Sequence, residues 1–137
     1  MEIIKQFFKN DRFAEHTGIE LVEVSPGRAV ARMPIRPHHL NGLSTVQGGA
    51  TFTLADFTFA AASNAYGTVA VAINVSISFL KAATAGVLTA EAREISRNPK
   101  LGSYTVEVKD DSGDVVAIFQ GMVYRKKESL DEVTTRT

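Results

Sequence analysis

Cysteine is absent from the 137 residues, and with it go disulfides, thiolate metal sites and cysteine nucleophiles. Such a chain suits a reducing compartment, so a cytoplasmic location is expected. Charge of one sign is not in excess either, since 15 Lys and Arg offset 15 Asp and Glu. The basic footprint of a nucleic-acid binder is missing, and no nucleic-acid partner is expected. No apolar stretch reaches the roughly 18 residues of a membrane span. Met1 to Asp11 mixes charge with Ile and Phe instead of carrying the basic flank and apolar run of a signal peptide. A soluble, unprocessed chain with no membrane partner is the expectation. Also missing are a Gly-x-Ser-x-Gly elbow, a His-Glu-x-x-His pair, a P-loop and a dinucleotide fingerprint. His16, His38 and His39 form no metal-ligand pattern and are expected on the surface or in loops, so neither a metal nor a nucleotide cofactor is indicated.

What is present reads as one domain, residues 1–127, at an ordinary 45% hydrophobic content. Ile3, Ile4, Phe7 and Phe8 fall at helical spacing, with Phe13 extending the stripe into a second short turn. From Gly18 the chain becomes extended, with Ile19 and Leu21 on one face and Val22 and Val24 on the other, and Ser25-Pro26-Gly27 turns it into Ala29–Met33 as a hairpin. Glu23 shares the face of Ile19 and Leu21, so either that face reaches solvent there or a bulge shifts the register. An irregular stretch containing Pro34, Pro37, His38, His39, Asn41 and Gly42 follows, long enough to suggest function.

Gly48 to Tyr66 is apolar or small nearly all round, which demands a helix buried on most sides. Val69 to Phe79 then alternates strictly, with Val69, Val71, Ile73, Val75, Ile77 and Phe79 on one face and Ala70, Ala72, Asn74, Ser76 and Ser78 on the other. Three further strands are predicted over 87–96, 101–109 and 115–124, joined by turns at Asn98-Pro99-Lys100 and Asp110–Gly113. Residues 128–137 are polar, with Leu130 and Val133 alone to bury, and read as a frayed tail. The sum is an α+β domain whose curved antiparallel sheet wraps one central buried helix. Its free strand edge and outer face suit subunit pairing.

Chemistry concentrates on that helix. Asp56 lies two turns into it between Ala55 and Phe57, where an ionised carboxylate is costly unless it is hydrogen-bonded or faces a cleft. It either points to water on an unburied stripe or has a functional role. Gln47-Gly48-Gly49 opens the same helix, and amides at a helix N-terminus are donors backed by the positive end of the dipole. They form either an ordinary turn or an oxyanion site that the missing side chains leave open to substrate. Eight residues separate Gly48 from Asp56, roughly 12 Å along a helix, too far for both to touch one carbonyl. Two chains with their helices side by side and antiparallel would unite them.

The run Asn41-Gly42, Gly48-Gly49-Ala50-Thr51-Phe52-Thr53-Leu54-Ala55-Asp56, Asn64-Ala65-Tyr66-Gly67 and Ile77-Ser78-Phe79-Leu80 resembles the phenylacetic-acid-degradation (PaaI-type) thioesterases of the hotdog superfamily. The similarity extends from about Phe13 to Arg125. The resemblance implies a hotdog fold and hydrolysis of small, medium or aryl acyl-CoA thioesters without metal or organic cofactor. It also implies a homodimer as the minimal active unit within a homotetramer. Carried over, Gly48 would polarise the thioester carbonyl, Asp56 of the other subunit would act as general base or nucleophile, and Asn41 would orient the water or the carboxylate. Many relatives have His-Gly-Gly where this chain has Gln47-Gly48-Gly49. Gln47 can hydrogen-bond there but cannot donate a proton as an imidazolium does. Gly49, Phe57, Asn74, Arg97 and Lys100 complete the expected substrate contacts, with Phe57 and Phe59 as candidates to shape an acyl pocket unless core packing takes one of them, and with the cations near the CoA phosphates, where Lys81 and Arg125 to Lys127 are further candidates. Two rival readings are a non-catalytic acyl-CoA sensor and a hotdog hydratase or dehydratase. The first gains little from Asp56, and the second would want a His paired with a carboxylate.

Overall fold

A computed structural model describes residues 1–136. Two short helices, α1 (Glu2–Phe8) and α2 (Arg12–Thr17), precede a hairpin of β1 (Glu20–Ser25) and β2 (Arg28–Pro34). A loop with a 3-10 turn at Pro37–His39 leads into α3 (Gly48–Asn64), followed by β3 (Thr68–Phe79), β4 (Val87–Arg97), β5 (Leu101–Lys109), β6 (Val115–Ser129) and α4 (Leu130–Arg136). The strands form one antiparallel sheet in the order β1-β2-β4-β5-β6-β3. β1 and β3 are therefore its edges. Among the described residues no helix is long and apolar enough to cross a membrane.

The sheet curls around α3 because both contribute apolar surface to one core. Leu54, Ala55, Phe57, Phe59, Ala61 and Ala62 of the helix are buried with Ala31, Met33, Leu88, Ala90, Val106, Val108 and Phe119 of the strands. Each large side chain fully removed from water contributes about 1.5–3 kcal/mol. Close approach at the centre depends on Gly121, where an added Cβ would come within 2.7 Å of the Phe59 ring. Within α3 only Gly49 is exposed, and Thr53, Asp56 and Ala60 are among its half-buried positions. Their spacing of four, three and four puts these four on one face, a stripe that the sheet does not cover.

The strict alternation expected of β3 is broken by a bulge. Val71 pairs with Tyr124 and Ala72 with Val123, but Asn74 pairs with Met122, leaving Ile73 as the extra residue. Before the bulge Ala70 faces the core. After it Val75 and Ile77 do, while Val71 and Ile73 are 38% and 54% exposed. A bulge also sits between Leu21 and Glu23, which resolves the conflict over Glu23. In the N-terminal stripe Ile4 and Phe8 are buried, but Ile3 and Phe13 are exposed. The tail expected to fray does not do so from residue 128. β6 runs to Ser129, α4 follows, and Leu130 is buried with its amide donating to the Gly67 carbonyl at 2.9 Å. Thr137, the end of that expected tail, lies outside the described residues.

Candidate active site

Gln47 is the N-cap of α3, its side-chain oxygen accepting from the Gly49 amide at 2.7 Å. A Cβ at 49 would lie 2.5 Å from that oxygen, so a side chain there would displace the Gln47 cap. The Ala50 and Thr51 amides donate to the Gln47 carbonyl. Among the described residues nothing accepts from the Gly48 amide, so one donor at the positive end of the helix dipole is left for a ligand. It borders a cavity of about 410 Å³ walled by Thr45, Val46, Thr51, Phe79, Leu80 and Val116, among others. The Phe79 ring closes on Gly48 so nearly that an added Cβ would meet it at 3.1 Å.

The loop before α3 is held from two sides. Asn41 accepts through its side-chain oxygen from the amides of Leu43 and Thr45, at 2.9 and 3.2 Å, and from the Thr45 hydroxyl at 3.2 Å. That oxygen organises the loop, which leaves the amide nitrogen for any substrate contact. His39, expected among solvated loop histidines, is instead 3% exposed. Its Nδ1 accepts from the Arg36 amide at 2.9 Å, which makes Nε2 the donor to the Thr17 carbonyl at 2.6 Å. The His39 carbonyl in turn accepts from the Gln47 amide at 2.8 Å. Alternation and spacing gave no sign of this histidine's role, which rests on contacts 22 residues apart.

Asp56 sits on the uncovered stripe of α3, half-buried. Burial raises its carboxyl pKa above the ordinary value, and the charge of Asp11 pushes in the same direction. Asp11 itself caps α2, accepting from the Ala14 amide at 3.0 Å. A carboxylate made more basic and left partly open is a better proton acceptor than an ordinary one. Nothing in the sequence marks Asp11, whose effect on Asp56 arises only when α2 docks beside α3. Phe57 is buried, stacks edge-on against Phe8 at 5.5 Å and lines a second cavity beside α1 and α2.

The other expected contacts are dispersed. Asn74 lies on the outer face of the sheet with Ser76, Ser103, Gln120 and Met122, on the opposite side from α3, because it alternates with the inward-facing Val75 and Ile77. Arg97 stacks over Tyr66 at 4.2 Å and lies 3.5 Å from Glu94. With exposed Lys100 it marks the C-terminal end of α3, roughly 24 Å from Gly48 at 1.5 Å per helical residue. Lys81 is held by Asp110 and Asp114, each at 2.7 Å. Arg125 is buried, donating to the Ser63 carbonyl at 2.8 Å and to the Tyr104 hydroxyl at 2.7 Å. Tyr104 and Tyr66 both donate to Glu94, and burial raises both phenol pKa values. This network ties the end of α3 to the sheet. Among the described residues no cluster suited to a metal ion occurs.

Residues 43–117 match the model of the thioesterase superfamily. The chain is 39% identical over 132 residues to a putative esterase of Archaeoglobus fulgidus, covering 95% of this chain and 86% of that one. The chain belongs to the thioesterase superfamily. It is also 36% identical over 119 residues to the acyl-coenzyme A thioesterase PaaI of Escherichia coli, covering 86% and 85% of the two chains. The structure of the Escherichia coli PaaI protein superposes with a TM-score of 0.90 at 33% identity, covering 93% of this chain and 94% of that one. The curved sheet around α3 is thus the hotdog fold. Within this superfamily member the half-buried carboxylate and the open amide lie on the same helix, eight residues apart.

Proposed function

We propose that the protein hydrolyses acyl-CoA thioesters at a centre shared by two copies of the chain. The observation that carries this reading is the division of labour along α3, an unpaired Gly48 amide at its start and a half-buried, more basic Asp56 two turns on. The Asp56 carboxylate takes a proton from water, and the water oxygen attacks the thioester carbon. The charge that develops on the carbonyl oxygen is met by the Gly48 amide of the other copy. Collapse breaks the carbon–sulfur bond, and the thiolate takes the proton back from Asp56, giving a free acid and CoA. Gln47 holds Gly49 and the helix start in place, and Asn41 shapes the loop that borders the carbonyl.

A homodimer is the minimal unit of this reading. The uncovered stripe of Gly49, Thr53, Asp56 and Ala60 is narrow enough for a second α3 to lie alongside, and the β3 edge offers exposed Val71 and Ile73 for strand pairing. A homotetramer is favoured by the outer face. There Arg28, Arg32 and Arg93 are ion-paired on the β1-β2-β4 half, whereas Asn74, Ser76, Gln120 and Met122 form an uncharged patch on the β6-β3 half. The cysteine-free sequence suits action in the cytoplasm. The test is thiol release from a panel of aryl, short-chain and long-chain acyl-CoAs by the wild type and by Asp56→Ala. Equal rates in the two proteins would remove Asp56 from the mechanism, and no release from any thioester would favour a sensor.

A further inference from the structure

The stretch from Arg36 to Thr45, which delivers the chain to α3, bonds almost entirely with itself. The Pro37–His39 turn closes on the Arg36 carbonyl, Leu40 bridges to Val46, and the Asn41 side chain gathers the amides of Leu43 and Thr45. Among the described residues, one hydrogen bond runs from residues 36–45 to anything outside 36–47, and it is the one from His39 Nε2 to the Thr17 carbonyl at the end of α2. His39 is buried, and its other ring nitrogen is taken by the Arg36 amide. On the opposite side its carbonyl accepts from the Gln47 amide at 2.8 Å, and the Gln47 side chain holds the Gly49 amide. One buried residue therefore joins the end of α2 to the first turn of α3, and the Gly48 amide lies between the two residues so held. Its exposed neighbour His38, with ring centres 4.3 Å apart, makes no hydrogen bond among the described residues.

We propose that His39 is a positioning residue for the reaction: its imidazole anchors the loop to α2, so that its carbonyl fixes Gln47 and aims the Gly48 amide at the thioester oxygen. The inference rests on the reading of that amide as the oxyanion donor. Such a donor acts only at hydrogen-bond distance from the place where the charge develops. A misplacement of about 1 Å can cost on the order of 10²-fold in rate. Without the bond to Thr17 the loop would be tied to the sheet only at its two ends, where the Ile35 and Val46 amides donate to Gly86 and Ala83. The turn between them would then be free to shift against α2 and to carry Gln47 with it.

The measurement is kcat and KM for phenylacetyl-CoA in the wild type, His39→Leu, His39→Gln, His39→Asn, His38→Leu and the double variant of His39→Leu with Gly48→Pro. His39→Leu fills the space without either ring bond, and kcat should fall about tenfold or more while KM stays within about twofold. Gln carries a donor that can reach the Thr17 carbonyl and should recover most of that loss. Asn keeps only the local bond to Arg36 and should not, and it takes the place of His39→Leu if that variant does not fold. His38→Leu should match the wild type. In the double variant the loss from His39→Leu should vanish, because the donor it positions is already gone. Wild-type kcat in folded His39→Leu or His39→Asn, or losses that add in full in the double variant, would overturn the assignment. Wild-type activity in Gly48→Pro would instead remove the oxyanion reading. Hydrogen exchange at the Gln47 amide needs no substrate and separates the two claims, since loss of the anchor should quicken it by about tenfold through local opening. Unchanged exchange there would remove the anchor whatever the activity.

Discussion

The side-chain oxygen of Gln47 lies 2.7 Å from the Gly49 amide nitrogen, so the residue that opens α3 occupies its neighbour's donor and leaves the Gly48 amide as the one facing out. Where an imidazole in this position can exchange a proton, the amide of Gln47 can only hold geometry. Proton traffic then falls to Asp56 and water.

Gly48 occupies the first helical position, where proline is well tolerated because the amide is not used within the helix. Gln47 already has the extended backbone that precedes proline, at φ −65° and ψ 137°. Gly48→Pro deletes the donor while keeping the fold. We expect kcat to fall by ~10²–10³-fold, the usual cost of losing an oxyanion donor. Gly48→Ala, which keeps the N–H and displaces only the exposed Phe79 ring, should lose far less. Steady-state kinetics on the two variants separate donor loss from crowding.

Asp56→Asn should lower kcat by ~10²-fold or more and raise Tm at neutral pH. The carboxyl pKa is raised in the fold, chiefly by burial, so the protonated form is favoured there. Its stabilising contribution is fully present below the unfolded pKa and is lost as pH rises through the folded value. A neutral amide removes that cost at pH 7 and gains nothing in acid. Thermal melts at several pH values should show the variant's advantage growing with pH.

The same shift sets the acid side of the activity profile. Asp56 must be ionised to accept a proton, so kcat should decline as pH falls through a value above the ordinary 3.8. Replacing Asp11 by Asn removes a like charge and should move that limb to lower pH. A limb that stays in place in Asp11→Asn would show that burial alone sets it.

Gly121→Ala should destabilise the fold by ~1–3 kcal/mol without specific loss of catalysis, because its Cβ would press within 2.7 Å of Phe59. Chemical denaturation and kinetics on the surviving folded fraction check both halves.

Much of this architecture was legible because burial and periodicity coincide. The all-round apolar run of Gly48 to Tyr66 could be satisfied only inside a wrapped sheet, and a lone Asp56 within it pointed to chemistry. The β3 register was not legible, since the bulge at Ile73 is set by pairing with β6 and leaves no mark on the alternation. What the bulge changes is the half of β3 before it, where Ala70 turns inward and Val71 and Ile73 outward, whereas Asn74 keeps the face that alternation gives it, on the far side of the sheet from α3. The cations expected at the groove were read from charge alone. Their partners, Glu94 for Arg97 and the two aspartates for Lys81, become neighbours only once the strands are paired. Nothing in the spacing marks His39, because its two hydrogen bonds run to a turn and to a helix end 22 residues away.

The eight-residue interval between Gly48 and Asp56 has a genetic consequence. Gly48→Pro and Asp56→Asn each disable a different half of every centre. Unfolding and refolding the two proteins together yields hybrids in which one of the two centres draws both intact halves from different chains. Two inactive preparations should therefore recover activity on mixing, and the hybrid dimer should approach half the wild-type rate.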